Sequence, residues 1–204
     1  MKKEHFIAIF NQSIQFISGN WKSRCNNLLH DEHWNVIGER VFHYLFDNTI
    51  NHNPLPVFIE EIISDFPSHY KYFEKIKYAL EKNENELAQI IAKTIEETPI
   101  ESLLVILGQR KTPATIINEN GIPPLKDQLL ESCFELYNEQ ICKAARAREK
   151  HISRIEGDTF WGRIEGTPDE KEQVAKIIVR RIIDDEPADT LYSREVLVAL
   201  HFSK

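Results

Sequence analysis

Phe6-Ile-Ala-Ile-Phe-Asn-Gln-Ser-Ile-Gln-Phe-Ile17 is the stretch that most clearly sets the fold of this chain. Its large apolar side chains return at intervals of three and four residues, which is the spacing of one helix face and not the alternation of a strand. The residues on that face are Phe6, Ile9, Phe10, Ile14 and Ile17. The segment therefore predicts an amphipathic helix that packs one side into a core and ends at Ser18-Gly19-Asn20.

The same spacing recurs along most of the chain. It predicts helices over residues 31–50, 58–63, 67–80, 87–95, 100–107, 125–155 and 167–183. Thr167 suits the cap of the last helix, and Pro168 suits its first turn. Residues 192–202 fit a helix or a short strand, and the alternation of apolar residues there favours the strand. We therefore expect a mainly α, multi-helical, bundle-like fold whose C-terminal helical unit ends in a short strand or hairpin.

A Pro-rich stretch divides the chain. Residues 109–124 contain Pro113, the pair Asn120-Gly121 and the pair Pro123-Pro124, all of which favour turns. We expect a helical N-terminal portion over 1–108, this connection, and a C-terminal unit over 125–204. The connection is the best candidate for a hinge or lid. A single continuous domain is the alternative, because 204 residues fit one core.

Composition narrows the classes of function. The net charge of -7 disfavours nucleic-acid binding over the whole surface, and 7 glycines leave little material for a Gly-rich phosphate loop. We therefore expect no cofactor. The 3 cysteines lack C-x-x-C spacing, which indicates buried thiols in a reducing compartment.

The distribution of apolar residues bears on location. No apolar run is long enough to cross a membrane, and the N-terminus lacks the small-residue cleavage site of a signal peptide. We expect a cytoplasmic protein with no membrane partner, and secretion as an effector is the alternative. The Asn- and Ile-rich composition suggests an AT-rich, bacterial genome.

Positive charge gathers in one segment, Lys143-Ala-Ala-Arg-Ala-Arg-Glu-Lys-His-Ile-Ser-Arg154. At 100° per residue, four cations share an arc of about 80°. They form what we call the basic ridge: Lys143, Arg146, Lys150 and Arg154. His151 lies beside the ridge, whereas Arg148 points away from it. The opposite side carries an apolar seam of Phe134, Ile141, Ala145 and Ile152, which predicts burial of that side.

Three interpretations of the basic ridge remain open. The simplest is a solvated helix face that carboxylates partly neutralise. The second is an anion site, in which Arg and Lys grip phosphate and Trp161 stacks on a base, unless Trp161 fills a gap between helices. The third is catalysis, in which His151 exchanges a proton while Arg146, Lys150 or Arg154 stabilises developing negative charge.

The predicted function is binding of an anionic, phosphate-bearing ligand, RNA or a nucleotide, with phosphodiester cleavage as its catalytic extension. The alternative is a non-enzymatic helical module that docks another protein, such as an effector or a toxin–antitoxin component. The sequence predicts no oligomeric state.

Arg146 and His151 form an R-x4-H spacing, which resembles the signature of HEPN-domain ribonucleases. These are all-helical proteins that cut RNA without a metal ion, usually at a dimer interface. The resemblance covers the two residues and implies roles for them alone. Ala147 follows the arginine here, where that family usually has a polar residue.

A longer resemblance starts at Ala145-Arg-Ala-Arg-Glu-Lys-His-Ile-Ser-Arg154 and continues through Phe160-Trp-Gly162 to Gly166-Thr-Pro-Asp-Glu-Lys171. It is similar to the pattern A-R-A-x-x-K-H-x-x-R, F-W-G and G-x-x-x-E-K of a group of proteins with no assigned activity. It implies that the basic helix and the turn after it form one unit.

The histidines form a second cluster, His30-Asp-Glu-His33, with His43 and His52 downstream. Imidazoles three residues apart can bind zinc together with a carboxylate. The spacing is neither H-E-x-x-H nor a Cys-His motif, and Asp31 suits the N-cap of the next helix. We therefore predict no metal site.

Overall fold

The computed structural model describes residues 1–50, 66–109, 116–152 and 166–184. The predicted helix over 58–63 and the predicted strand over 192–202 lie outside them. Within these ranges the chain is helical, and its β structure is limited to an isolated antiparallel bridge between Leu136 and Cys142. The predicted mainly α fold is confirmed. The chain divides into two compact units, Met1–Pro123 and Pro124–Lys204.

The first unit is built from short and medium helices. They are α1 (Lys3–Gln12), α2 (Gly19–Arg24), α3 (Asp31–Phe42), α4 (Phe66–Tyr70), α5 (Glu74–Lys77), α6 (Glu84–Glu97) and α7 (Ile100–Leu107). A π-helical turn over His43–Asp47 continues α3, and 3-10 turns cover Ser13–Phe16, Asn26–Leu29, Lys71–Phe73 and Glu119–Gly121.

The core of this unit centres on the contact between α1 and α3. Phe10 and Trp34 are almost fully buried, and their ring centroids lie 4.9 Å apart. The Trp34 indole donates a hydrogen bond to the carbonyl oxygen of Phe10, at 3.2 Å. Gly38 lies on α3 directly against Phe10, so its missing side chain lets the two helices approach closely.

Helices α6 and α7 complete the core, and local residues in the sequence explain where α6 begins and α7 ends. Asn83 caps α6 by accepting a hydrogen bond from the Glu86 N–H at 3.0 Å. Helix α7 has an uninterrupted buried run over residues 102–107. It ends at Gly108, whose φ of 110° is left-handed and whose N–H bonds to Leu104 O at 3.1 Å.

Two predicted helix ends were wrong. Ser18-Gly19-Asn20 does not stop the first helix. Ser18 instead caps α2, because its hydroxyl accepts a hydrogen bond from the Trp21 N–H at 3.4 Å. Asp31 is the first residue of α3, where its charge favours the helix dipole, and His30 occupies the N-cap position.

The described part of the Pro-rich connection, residues 116–123, packs on the first unit. Gln109 donates a side-chain hydrogen bond to Gly121 O at 3.0 Å, and Arg24 pairs with Glu119. His33 Nε2 lies 3.0 Å from Pro123 O. These contacts hold the segment by both side chains and backbone.

The second unit contains α8 (Lys126–Phe134), α9 (Lys143–Ile152) and α10 (Pro168–Asp184). The predicted single helix over 125–155 is wrong, because the backbone turns between α8 and α9. Asn138 Oδ1 accepts hydrogen bonds from the N–H groups of Gln140 and Ile141, at 2.9 and 3.0 Å. Asparagine competes with helical bonding in this way, so the apolar seam is built from two helices and a turn.

A small core joins the three helices. Cys142, Ala144, Ala145 and Ala175 are buried, and Cys133, Phe134, Ile141 and Val179 pack against them. The ring of Phe134 has the cations of Lys176 and Arg180 at 5.7 and 5.3 Å from its centroid. No helix in the described residues is long and apolar enough to cross a membrane.

Candidate anion-binding site on the basic helix

Helix α9 separates its arginines by side. Arg148 is buried, with 5% of its surface exposed, on the side that packs with Ala144 and Ala145. Burial lowers the pKa of its guanidinium, and the neighbouring Glu149 carboxylate opposes that shift. Arg146 lies on the other side, and 40% of its side chain is exposed. This agrees with the helical wheel, which assigns Arg146 to the basic ridge and leaves Arg148 out.

The first cation of the basic ridge is tightly paired. The Lys143 ammonium forms an ion pair with the Glu135 carboxylate, and both side chains are about half exposed. The backbone supports the same approach, because the Lys143 N–H donates to Glu135 O at 2.9 Å. Lys143 therefore starts the ridge as a partly exposed ammonium that is paired with one carboxylate.

Arg146 has looser partners. Its Nη1 lies 3.6 Å from Glu149 Oε2, beyond the 2.7–2.9 Å of a strong charge-assisted hydrogen bond. Its guanidinium carbon lies 5.8 Å from the ring centroid of Tyr137, within the range of a cation–π contact. The Tyr137 ring belongs to the turn between α8 and α9, and the residue is 55% exposed.

The Glu149 carboxylate is shared between two cations. Lys171, on α10, places its ammonium 3.5 Å from Glu149 Oε1, while Arg146 approaches the other oxygen. One negative charge therefore lies between two positive charges, and the group of three keeps an excess of one positive charge. Such an excess is stabilised by an additional anion.

Arg146 also has unused hydrogen-bonding capacity. Its Nε is buried and has no acceptor among the residues that the structure describes. A guanidinium binds phosphate or carboxylate bidentately through a fork of two N–H groups, one of which can be Nε–H. A buried donor without an acceptor costs about 1–3 kcal/mol, so a movement of the Arg146 side chain that brings Nε–H to an acceptor recovers part of that cost.

Lys150 and His151 follow in the last turn of α9, and both are half-buried. Arg154 and Trp161, the other predicted ligand-binding residues, lie outside the described residues. The structure therefore brings Lys143, Arg146 and Lys150 onto one helix, with His151 beside them, as the sequence spacing predicts for a helical segment.

Three residues of this site were not predicted from the sequence: Tyr137, Glu149 and Lys171. Glu149 could have been found, because it stands three residues after Arg146 on the same helix. Lys171 ends the G-x-x-x-E-K segment that the sequence groups with the basic helix, but spacing does not reveal how α10 packs on α9. Tyr137 could not have been found, since the predicted long helix left no turn to carry it.

The thiols and histidines offer little other chemistry. Burial raises the pKa of Cys25 to about 11, with Glu119 adding to the shift, and burial also raises the pKa of Cys133. Both stay protonated at neutral pH and are poor nucleophiles. His33 is buried against Pro123. In the part of the chain that the structure describes, no three His, Cys, Asp or Glu side chains gather as metal ligands.

The site thus combines an arginine within cation–π distance of an exposed tyrosine ring and a carboxylate that two cations share. This combination suits an anion that also carries a flat ring, because the guanidinium can bind the anionic group and the tyrosine can stack on the ring. No protein-family model, curated protein or solved structure matches this chain.

Proposed function

We propose that the C-terminal unit binds single-stranded RNA on α9 and the turn before it. Arg146 contacts a phosphate, the Tyr137 ring stacks on a base, and Lys143 and Lys150 attract the neighbouring phosphates. The observation that carries the proposal is the incomplete pairing of Arg146, which has a shared and distant carboxylate and a buried Nε without an acceptor in the described residues.

The strength of the Glu149 contact supports an exchangeable site. Pairs at 3.5–3.6 Å with partly exposed side chains contribute about 0–1 kcal/mol. Hydrogen bonds between a guanidinium and a phosphate are roughly twice as strong as hydrogen bonds between neutral groups. At their usual length they are also shorter than the 3.6 Å contact between Arg146 and Glu149. A phosphate can therefore replace Glu149 as the partner of Arg146, while Lys171 remains paired with the Glu149 carboxylate.

The shape of the site favours a strand over a single phosphate. Lys143 and Lys150 are seven residues apart on the helix, a rise of about 10 Å, which exceeds the size of one phosphate group. An exposed tyrosine is tolerant of base identity, because every base presents a flat face to stack on. We therefore expect affinity for unpaired RNA with weak sequence preference.

Arg146→Gln should weaken binding of a fluorescent oligouridine by about tenfold to a hundredfold, the cost of losing a charged hydrogen-bond donor. Tyr137→Ala should weaken it comparably, since one stacked base contributes about 1–3 kcal/mol, and Tyr137→Phe should keep the parent affinity because the ring remains. Fluorescence anisotropy at low salt measures the affinity of all three variants.

The salt dependence of the affinity should also fall in Arg146→Gln, by about 0.7 in the slope of log K against log salt.

Arg24→Gln is the matched control. Arg24 is an exposed arginine of the first unit that also pairs with a glutamate, so the variant removes the same charge elsewhere. Equal losses in Arg24→Gln and Arg146→Gln would mean that net charge alone is responsible and would contradict the proposed site. Binding of UMP as tight as that of the oligomer would assign the site to a nucleotide instead.

Cleavage of the bound strand is a separate prediction that rests on His151. As a general acid or base, His151 would contribute about 10²–10⁴-fold to the rate, so His151→Ala should abolish product formation while leaving affinity nearly unchanged. Incubation of labelled RNA followed by gel electrophoresis measures the product. Equal cleavage by parent and variant would exclude His151 from that role, and intact RNA with both proteins would limit the function to binding.

A further inference from the structure

Helix α10 presents a stripe of side chains on the side opposite its buried face. Ala175 and Ile183 are buried, which fixes the inward direction of the helix. At 100° per residue, four residues fall within an arc of about 60° on the far side. They are Glu170, Val174, Ile177 and Arg181, and we call them the α10 stripe. All are exposed, Val174 by 40% and Ile177 by 64%.

The spacing of the α10 stripe is that of a coiled-coil seam. Its members are separated by intervals of four, three and four residues, which are the a and d positions of a heptad. Val174 and Ile177 occupy the two central positions, where a β-branched residue packs well against a second helix. The stripe can therefore receive another helix of the same spacing.

The charges of α10 indicate which helix can pack against the α10 stripe. Its first turn is acidic, with Asp169 and Glu170, and its last turns carry Arg180 and Arg181. When two such helices lie antiparallel about a twofold axis centred between Val174 and Ile177, each Glu170 faces Arg181 of the other helix. A parallel arrangement would instead place like charges together at both ends. The pattern is thus complementary to itself in the antiparallel direction.

Glu170 is held in place by the N-terminal cap of α10. Its Oε2 accepts hydrogen bonds from the Thr167 N–H at 2.7 Å and from the Thr167 hydroxyl at 3.1 Å, and the Thr167 hydroxyl accepts from the Glu170 N–H at 3.3 Å. This reciprocal cap holds the carboxylate at the end of the stripe. An ion pair with Arg181 therefore loses less side-chain freedom than a pair between two mobile side chains.

We propose that two copies of this chain associate through the α10 stripe as an antiparallel, twofold-symmetric helix pair. The seam from Glu170 to Arg181 is about 17 Å long, and so short a contact buries less surface than a standard stable interface. The dimer is accordingly weak and forms in a concentration-dependent way.

Sedimentation equilibrium of the full chain over a wide concentration range tests the proposal, with circular dichroism to check that each variant is folded. Ile177→Lys places two like charges at the centre of the seam, and Arg181→Glu places like charges at both ends. Each should lower the association constant by roughly tenfold or more. Arg180→Glu makes the same charge reversal one residue away and off the stripe, and it should still dimerise.

A mixing experiment isolates the charge pairing. The Glu170→Arg chain and the Arg181→Glu chain should each be monomeric alone, and a mixture of the two should form a heterodimer, because each acidic end then meets a basic one. A parent chain that stays monomeric at every concentration would overturn the proposal. So would a dimer that Ile177→Lys and Arg181→Glu leave unchanged, since it would use another surface.

Discussion

His33 shows how burial sets the behaviour of a single side chain. Burial lowers its pKa, and the hydrogen bond to Pro123 O partly opposes that shift. Because the folded-state pKa lies below the unfolded value of about 6.5, the unfolded chain takes up the proton first as the pH falls. The contribution of His33 to stability is therefore complete above about pH 6.5 and is lost as the pH falls from there toward the folded pKa.

The variant His33→Gln removes this titration and keeps a side-chain amide that can donate to Pro123 O. We expect the parent to lose more free energy of unfolding than His33→Gln when the pH is lowered through about 6.5. Urea denaturation on either side of that pH measures the difference. His5→Gln, which changes an exposed histidine of α1, is the control. Equal losses in the parent and in His33→Gln would contradict this role.

The arginines of α9 show what sequence spacing predicts about single residues. Helical geometry was enough to separate Arg146 from Arg148, because the two residues lie on different sides of any helix that includes them. It was not enough to find Tyr137, which reaches Arg146 only because the chain turns at Asn138. Contacts that depend on a turn are not encoded in periodicity.

At the scale of elements, the approach of α1 to α3 depends on Gly38. A Cβ at this position would lie 2.9 Å from Cδ1 of Phe10 and 3.2 Å from Cδ1 of Ile7. Gly38→Ala gains about 1 kcal/mol in helix propensity, but the Phe10 ring is fully buried and has little room to move. Overpacking costs about 1–3 kcal/mol, so we expect net destabilisation of the first unit.

The free energy of unfolding, measured by urea denaturation, checks this prediction. Gly19→Ala is the matched control, because a Cβ at Gly19 meets nothing within 4 Å. That variant should be neutral or slightly stabilising. A Gly38→Ala protein at least as stable as the parent would show that α1 and α3 adjust to the added methyl group without loss.

Helix boundaries were predicted well where the capping chemistry is local. Pro168 marks the start of α10 in the sequence and in the structure, and α7 has the predicted bounds, residues 100–107. The break between α8 and α9 was missed, since the apolar seam continues across it and the side-chain bonds of Asn138 that cause it have no periodic signature.

At the scale of the whole molecule, the net charge of -7 conceals a local excess of positive charge. The mainly α class follows from the dominance of helical spacing, which many segments repeat. The candidate site follows only in part, because the basic ridge is visible in the sequence whereas the contacts of Glu149 with Lys171 and of Tyr137 with Arg146 are products of packing. An acidic chain with a local cationic site should bind a polyanion weakly at high salt and more strongly as the salt is lowered.

The most direct test of the RNA site is to follow the arginine Nε–Hε resonances by NMR while single-stranded RNA is added to ¹⁵N-labelled protein. Assignment through Arg146→Lys and Arg24→Lys identifies the two signals to compare. We predict that the Arg146 signal shifts as its guanidinium turns from Glu149 to a phosphate, while the Arg24 signal stays in place. An Arg146 signal that does not respond to saturating RNA would contradict the account.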